Sequence, residues 1–181
     1  MAGMRERILE TALERFESQG YAATSLRDIA QDLSTTKAAI YYHFQTKQHI
    51  VQALVDPVSE QLAKVTDDIA ADHDGDLRSQ LRQYVQAYIE NLRVLTWLTN
   101  DMTVEIDRSG HEKLRRQLRD RLVAPTAAHE DLFRANCAVL LLHYPVWSRW
   151  SESDLDLLLD IAVGIAEGPG GEMSTGPGLT R

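Results

Sequence analysis

The 181-residue sequence has few of the features that characterise secreted or membrane-spanning proteins. Its one cysteine, Cys137, cannot form a disulfide within a single chain, which favours a reducing compartment. No charged and then apolar segment opens the chain, and its longest apolar run, Ala138 to Leu142, is far too short to span a bilayer. We therefore expect a cytoplasmic protein with no membrane partner.

The residue patterns of enzymes and metal sites are also missing. The six histidines show no ligand spacing and have no cysteine partner, so we expect no metal. No Ser/His/Asp or Cys/His arrangement, nucleophile elbow or phosphate-binding glycine loop is present, and the glycines at 168–171 follow a predicted helix instead of preceding one. The sequence predicts neither an enzyme nor a bound cofactor.

Strand patterns are absent as well, and apolar residues recur at helical spacing along most of the chain. The prediction is an all-α protein of about nine helices, with helices over 4–19, about 46–72, from 77 to beyond 95, from Pro125, and over 155–166. Pro57 should kink or break the second of these, and Pro145 either ends or kinks a later helix. We assign residues 1–47 and 48–167 to two domains, and 168–181 to a Gly/Pro-rich disordered tail.

The most informative stretch is Thr24 to Leu54, which predicts two short helices across a tight turn. Ser25 and Thr36 suit the two N-cap positions, and Asp28 stands where a capping box places its acid. In the second helix Ile40, Tyr41 and Phe44 are expected to face inward. The outer face then consists of Lys37, Ala38, Tyr42 and His43, a combination that suits a helix entering the major groove of DNA.

This stretch resembles the helix-turn-helix of TetR-family transcriptional regulators. The resemblance covers roughly residues 4 to 55 and lies in Ile29-Ala30, in the Tyr41-Tyr42-His43-Phe44 run and in Lys47. Two positions differ from the family pattern: the usual turn glycine is Ser34, and the usual glycine near the start of the recognition helix is Ala38. Ser34 fits the turn if its φ stays negative, since only glycine enters positive φ freely.

The resemblance implies a DNA-binding surface in the N-terminal domain. Lys37 would contact a base edge or a phosphate, Tyr42 and His43 phosphates or a thymine methyl, and Lys47 a phosphate. The full predicted set is Ser25, Arg27, Thr36, Lys37, Ala38, Tyr42, His43 and Lys47. The net charge of −8 does not oppose this, because residues 1–50 carry six basic and six acidic residues while the remainder carries thirteen and twenty-one.

The second half of the chain suggests a small-molecule pocket, although each of its aromatic residues could equally be core. The candidate ligand-binding residues are Tyr84, Tyr88, Trp97, Met102, His143 and Trp147. The apolar stripes of the last two helices are either ordinary core or, as the resemblance implies, the seam of a homodimer.

The sequence thus predicts a homodimeric repressor that is released from a palindromic double-stranded DNA operator by a small apolar or aromatic effector. The alternative is an architectural DNA-binding protein that has the same helix-turn-helix and no effector.

Overall fold

The computed structural model describes residues 3–72, 75–105, 109–123, 128–142 and 152–167. Within these ranges the chain forms nine α-helices and no strand, which confirms the predicted all-α class. The helices are α1 Met4–Gln19, α2 Leu26–Asp32, α3 Lys37–His43, α4 Lys47–Ala71, α5 Leu77–Glu90, α6 Leu92–Asn100, α7 Ser109–Leu122, α8 His129–Leu142 and α9 Glu152–Glu167.

Two compact units divide the chain. The first consists of Met1–Leu62 and Tyr88–Gly110, and the second of Ala63–Ala87 and His111–Arg181. The domain limits predicted from the sequence, at 47/48 and 167/168, divide the chain by function. The two compact units do not test these limits, which stay a prediction.

The core of the first unit is built on α1, whose buried face is Ile8, Ala12, Leu13 and Phe16. Gly20 ends this helix with φ at 88°, a left-handed value that a side chain would strain. Buried residues from α2, α3, α4 and α6 join this face in one apolar cluster. Helix α1 is therefore the scaffold behind the two short helices.

The turn between α2 and α3 differs from the expectation in one respect. Ser34 has φ at 49°, so it occupies the left-handed region in spite of its side chain. Backbone bonds hold it there, because the N–H of Ser34 donates to Gln31 and the N–H of Thr35 donates to Ala30. The hydrogen bonds of the turn therefore outweigh the preference of serine for a negative φ.

One predicted alternative is excluded, and one helix boundary differs from the sequence prediction. Of the kink or break predicted at Pro57, the break does not occur, because α4 is continuous across this residue. The helix expected from 77 to beyond 95 is interrupted at Asn91, where α5 ends and α6 begins. Asn91 is a poor helix former with a side chain that bonds to Gln61 at 2.8 Å, and its backbone leaves the helical region.

In the second unit α8 packs along α9. The buried residues on these helices are Ala135, Ala138, Val139, Leu142, Leu155, Leu158, Leu159 and Ala162. Ion pairs connect α5 to α9, where Arg78 bonds to Asp156 and Asp160 at 3.1 and 2.9 Å. Most of the apolar side chains that were candidates for the dimer seam are therefore buried within the single chain.

Candidate DNA-binding surface

Helix α3 presents a mixed polar and aromatic face to solvent. Ile40 is its one buried residue and Phe44, directly after the helix, is also buried. Lys37 and Ala38 are exposed, and Tyr42 is 87% exposed. Tyr41, which the sequence analysis placed in the core, is 43% exposed instead, because Ile40 and Phe44 fill the space beneath α3.

The side chains on this face are free to meet a ligand. The Lys37 Nζ atom lies 5.2 Å from the centroid of the Tyr41 ring, a weak cation–π contact that leaves its N–H groups in water. Tyr42 makes an edge contact with half-buried His43, with ring centroids 5.1 Å apart. This face offers an ammonium, a phenol, an imidazole and an apolar methyl, which suits base edges and phosphates.

The helix starts are fixed by their caps. Ser25 Oγ accepts the N–H of Asp28 at 3.2 Å and donates to the Asp28 carboxylate at 2.7 Å. This hydroxyl bond, and then the Ser25 N–H, lower the pKa of Asp28. Thr36 Oγ1 accepts the N–H of Ala39 at 3.2 Å. Ser25, Arg27 and Thr36 are all exposed, so the two caps remain accessible at the surface where DNA contact is predicted.

Contacts from α1 hold the two short helices in place. Arg15 donates to both carboxylate oxygens of Asp32 at the end of α2, at 2.5 and 2.6 Å. The guanidinium of Arg5 lies 5.3 Å from the centroid of the Phe44 ring. Helices of seven residues are too short to be stable alone, so this support is what gives α3 a fixed orientation.

Lys47, the last predicted DNA contact, points elsewhere. Its Nζ donates to the backbone carbonyls of Tyr21 and Thr24, the latter at 2.7 Å, and lies 4.0 Å from the centroid of the Tyr21 ring. Burial lowers the pKa of Lys47, opposed by the nearby charge of Asp101. The side chain is half-buried against the loop between α1 and α2.

The sequence analysis did not identify Asp101, which holds the same loop from another side. Its Oδ2 accepts the backbone N–H of Tyr21 at 2.6 Å, and its Oδ1 accepts the N–H and hydroxyl of Thr103. Burial raises the pKa of Asp101, but these hydrogen bonds outweigh it and the pKa is lowered. The Asp-x-Thr spacing predicts a local turn. Nothing in the sequence indicates its contact with a residue 80 positions away.

The candidate ligand residues have different surroundings. Tyr84 and Tyr88 are buried, and burial raises the pKa of Tyr88 to about 12. Trp97 belongs to the core of the first unit, where its ring stacks on Phe16. Met102 is 76% exposed, while His143 and Trp147 lie outside the described residues.

A hollow of about 570 Å³ on the first unit does bring Trp97 and Met102 together. It lies between the end of α1 and the end of α6, and its remaining lining residues are Phe16, Glu17, Gly20, Thr96, Asn100, Asp101 and Thr103. Tyr84 and Tyr88 do not line it. Its volume is in the range of small-molecule sites.

Two further findings concern the described residues alone. No group of three or more His, Cys, Asp or Glu side chains in these ranges is arranged to hold a metal ion. None of the described helices combines the length and apolarity needed to cross a bilayer.

Comparison with known proteins places the similarity in the N-terminal part. Residues 8–54 match the family model for bacterial regulatory proteins of the tetR family. The chain is 45% identical over 56 residues to the HTH-type transcriptional regulator TtgR of Pseudomonas putida, covering 31% of this chain and 27% of that protein. It is 38% identical over 52 residues to IcaR of Staphylococcus aureus, a negative transcriptional regulator of a biofilm operon, covering 29% and 28%. The chain thus matches little more than a quarter of the length of these relatives.

Solved structures extend the similarity of fold to nearly the whole chain. AmtR of Mycobacterium smegmatis superposes with a TM-score of 0.77 at 22% identity, over 94% of this chain and 89% of that one. A TetR-family transcriptional regulator from Bordetella parapertussis superposes with a TM-score of 0.73 at 17% identity, over 98% and 100%. The names of the two relatives matched by sequence describe transcriptional regulators.

Proposed function

We propose that this chain is a transcriptional repressor that binds a palindromic operator as a homodimer, because residues 8–54 match the family model for bacterial regulatory proteins of the tetR family. The observation that carries the proposal is the exposed face of α3, where Lys37, Ala38 and Tyr42 face solvent while Ile40 anchors the helix. We also propose a cytoplasmic location, because such a protein acts where the DNA is.

The DNA-binding face is tested by selecting an operator from random duplex DNA and measuring affinity at fixed salt. We expect Tyr42→Ala to weaken operator binding, and Lys37→Ala to weaken it and relax the base preference, because each removes a group from the exposed face. Lys64→Ala is the control, since Lys64 is an exposed lysine of α4 that does not belong to the two short helices. If both α3 variants bind the selected operator like the parent, the surface has been misplaced.

Homodimer formation is supported by apolar side chains on the outer faces of α8 and α9. Phe133, Leu140, Leu157 and Ile161 are all exposed in the single chain. Phe133 and Leu140 share one face of α8, and Leu157 and Ile161 share one face of α9, and exposed apolar helix faces are a feature of protein interfaces. A two-fold dimer would present two copies of α3 to successive major grooves, about 34–36 Å apart on one face of the duplex.

The proposed effector is a small apolar or partly aromatic molecule that releases the repressor. The hollow lined by Phe16, Trp97 and Met102 supports this part of the proposal. An effector acts by binding one conformer better than another, and its differential affinity sets the decrease in operator affinity.

The effector is tested by screening an apolar library for thermal stabilisation and repeating the operator titration with each stabilising compound. Compounds that stabilise the protein should reduce operator affinity over the same concentration range. A library that gives no stabilisation would favour the architectural alternative, in which the chain organises DNA without an effector.

A further inference from the structure

The backbone of Tyr21 is held at both of its polar groups by side chains from distant parts of the chain. Its N–H donates to Asp101 Oδ2 at 2.6 Å, and its carbonyl accepts a hydrogen bond from Lys47 Nζ. Tyr21 lies in the short connection between α1 and α2. Asp101, which follows α6, and Lys47, which begins α4, therefore meet at one residue of this connection.

The connection leads directly into the first cap of the helix-turn-helix. Thr24, which is buried, donates its N–H to Tyr21 at 3.2 Å and its hydroxyl to Gly20 at 2.9 Å, and its carbonyl accepts the second bond from Lys47. Ser25, the N-cap of α2, is the next residue. The position of α2 therefore depends on how the Tyr21–Thr24 connection is held.

Two of the three donors of Lys47 are occupied. An ammonium has three N–H groups. Two of those on Lys47 meet carbonyl oxygens, and the Nζ lies over the Tyr21 ring at 4.0 Å. Lys37 differs, because its side chain is exposed and its described contact is the ring of Tyr41 at 5.2 Å. The two lysines carry the same charge, but Lys37 is exposed to solvent whereas Lys47 is half-buried and hydrogen-bonded to the backbone.

We propose that Lys47 and Asp101 are positioning residues, which hold the Tyr21–Thr24 connection and thereby the start of α2 for DNA binding, and that Lys47 does not itself contact a phosphate. This inference rests on the proposed DNA-binding function and replaces the phosphate contact that the sequence suggests for Lys47. Lys47 acts on DNA only through the backbone that it holds.

Hydrogen bonds of this region also connect the segment after α6 to the start of the proposed DNA-binding helices. Gln48 accepts the hydroxyl hydrogen bond of Tyr21 at 3.1 Å and donates to the carbonyl of Glu105 at 2.9 Å. A shift of residues 101–105 would therefore pull on both Tyr21 and the start of α4. Asp101 lines the hollow described above, so a molecule bound there would touch one of the two residues that hold this connection.

The salt dependence of operator binding separates positioning from phosphate contact. The slope of log K against log salt falls by about 0.9 for each phosphate that the protein no longer neutralises. We expect Lys37→Met to flatten the slope, and Lys47→Met to weaken binding by a similar factor at every salt concentration with the slope of the parent. Lys64→Met, which removes the same charge from an exposed part of α4, is the control. If Lys47→Met flattens the slope as much as Lys37→Met, Lys47 binds phosphate and the proposal is wrong.

Amide hydrogen exchange measures the positioning without DNA. In Lys47→Met and in Asp101→Asn, the N–H groups of Tyr21, Thr24 and Asp28 should exchange faster, while those of the α1 core keep their protection. Lys47→Arg, which keeps a donor of similar reach, should restore part of the protection and of the affinity. A uniform decrease in protection across α1 would instead indicate a general stabilising role.

If Lys47→Met does not fold, Asp101→Asn tests the same proposal in a protein that keeps Lys47. It should lower operator affinity without changing the salt slope. Parent-like exchange at Tyr21 together with parent-like affinity in this variant would overturn the proposal. If the parent itself selects no DNA, the proposed function fails, whereas the exchange result still decides whether the two residues position the connection.

Discussion

The indole ring of Trp97 is stacked on the ring of Phe16, with centroids 5.0 Å apart and planes inclined by 20°. Phe16 also meets Tyr21 edge-on, with centroids 5.4 Å apart. A residue of α6 is thus part of the core that supports the helix-turn-helix. Trp97 was selected from the sequence as a ligand-binding residue, and its surroundings give it a structural role as well as a place in the wall of the hollow.

Replacing Trp97 should therefore destabilise the first unit even when no ligand is present. We expect Trp97→Ala to lower the free energy of unfolding by about 3–5 kcal/mol, because it removes a buried ring and leaves a cavity. Met102→Ala, at an exposed site in the same hollow, should change it by less than about 0.5 kcal/mol. Urea denaturation followed by circular dichroism provides both values. A parent-like Trp97→Ala would show that the stacking contributes nothing.

Ser34→Gly should stabilise the protein. Ser34 has φ at 49°, where a residue with a Cβ is strained and glycine is not. Part of the gain is offset by the greater freedom of glycine in the unfolded chain, so we expect up to about 1 kcal/mol. Ser59→Gly, in the exposed interior of α4, is the matched control and should destabilise by a similar amount. Thermal unfolding measures both variants. If Ser34→Gly and Ser59→Gly change the melting temperature in the same direction, this explanation is wrong.

The stability of the parent should depend on acid through Asp101. Its folded-state pKa is lowered from 3.8, so the ionised form stabilises the fold above that value and the contribution is lost as the pH falls through the folded-state pKa. Asp101→Asn has no charge to lose. The stability difference between parent and variant should thus be largest near neutral pH and narrow below about pH 4. Urea titrations at several pH values measure it, and a constant difference would exclude the carboxylate as the cause.

The proposed homodimer gives a prediction on α9. Leu157 and Ile161 are 60% and 44% exposed and stand four residues apart, on one face of the helix. Replacing both with aspartate should leave the chain folded and shift it to monomers in sedimentation velocity, since burying these charges costs several kcal/mol. Ile89→Asp, at an exposed apolar site of α5, should leave the assembly unchanged.

Leu158→Asp shows why the choice of position matters. The sequence analysis could not distinguish the face of α9 that packs on α8 from the face that meets solvent, because both are apolar. Leu158 is buried within the single chain, so this variant should unfold the protein instead of dissociating it. A double variant of Leu157 and Ile161 that still sediments as a dimer would move the interface to another surface.

The sequence predicted the parts of the fold that depend on local chemistry. The caps at Ser25 and Thr36, the end of α1 at residue 19 and the helical stripes each follow from residues a few positions apart. The errors arose where two elements meet. Tyr41 follows the inward pattern of α3 and is nevertheless displaced outward, because Ile40 and Phe44 already fill the space against the scaffold.

The same limit applies to the candidate site residues. The exposed positions of Lys37, Ala38 and Tyr42 agree with their helical spacing. The surroundings of Lys47 could not be predicted, because its partners belong to the connection after α1 and are backbone carbonyls, which have no sequence signature. Asp101 was missed for the corresponding reason, since the group that it binds is a backbone N–H.

Only one side chain of α3, that of Ile40, is buried, and this separation of roles bears on how the protein can evolve. We expect that Lys37, Ala38, Tyr41 and Tyr42 can each be exchanged with little effect on stability, because all four are exposed. Under the proposed function, mutation at these positions can explore new operator sequences while the scaffold keeps the chain folded. A duplicated copy of the gene would then acquire a different set of target promoters through a few substitutions in seven consecutive residues.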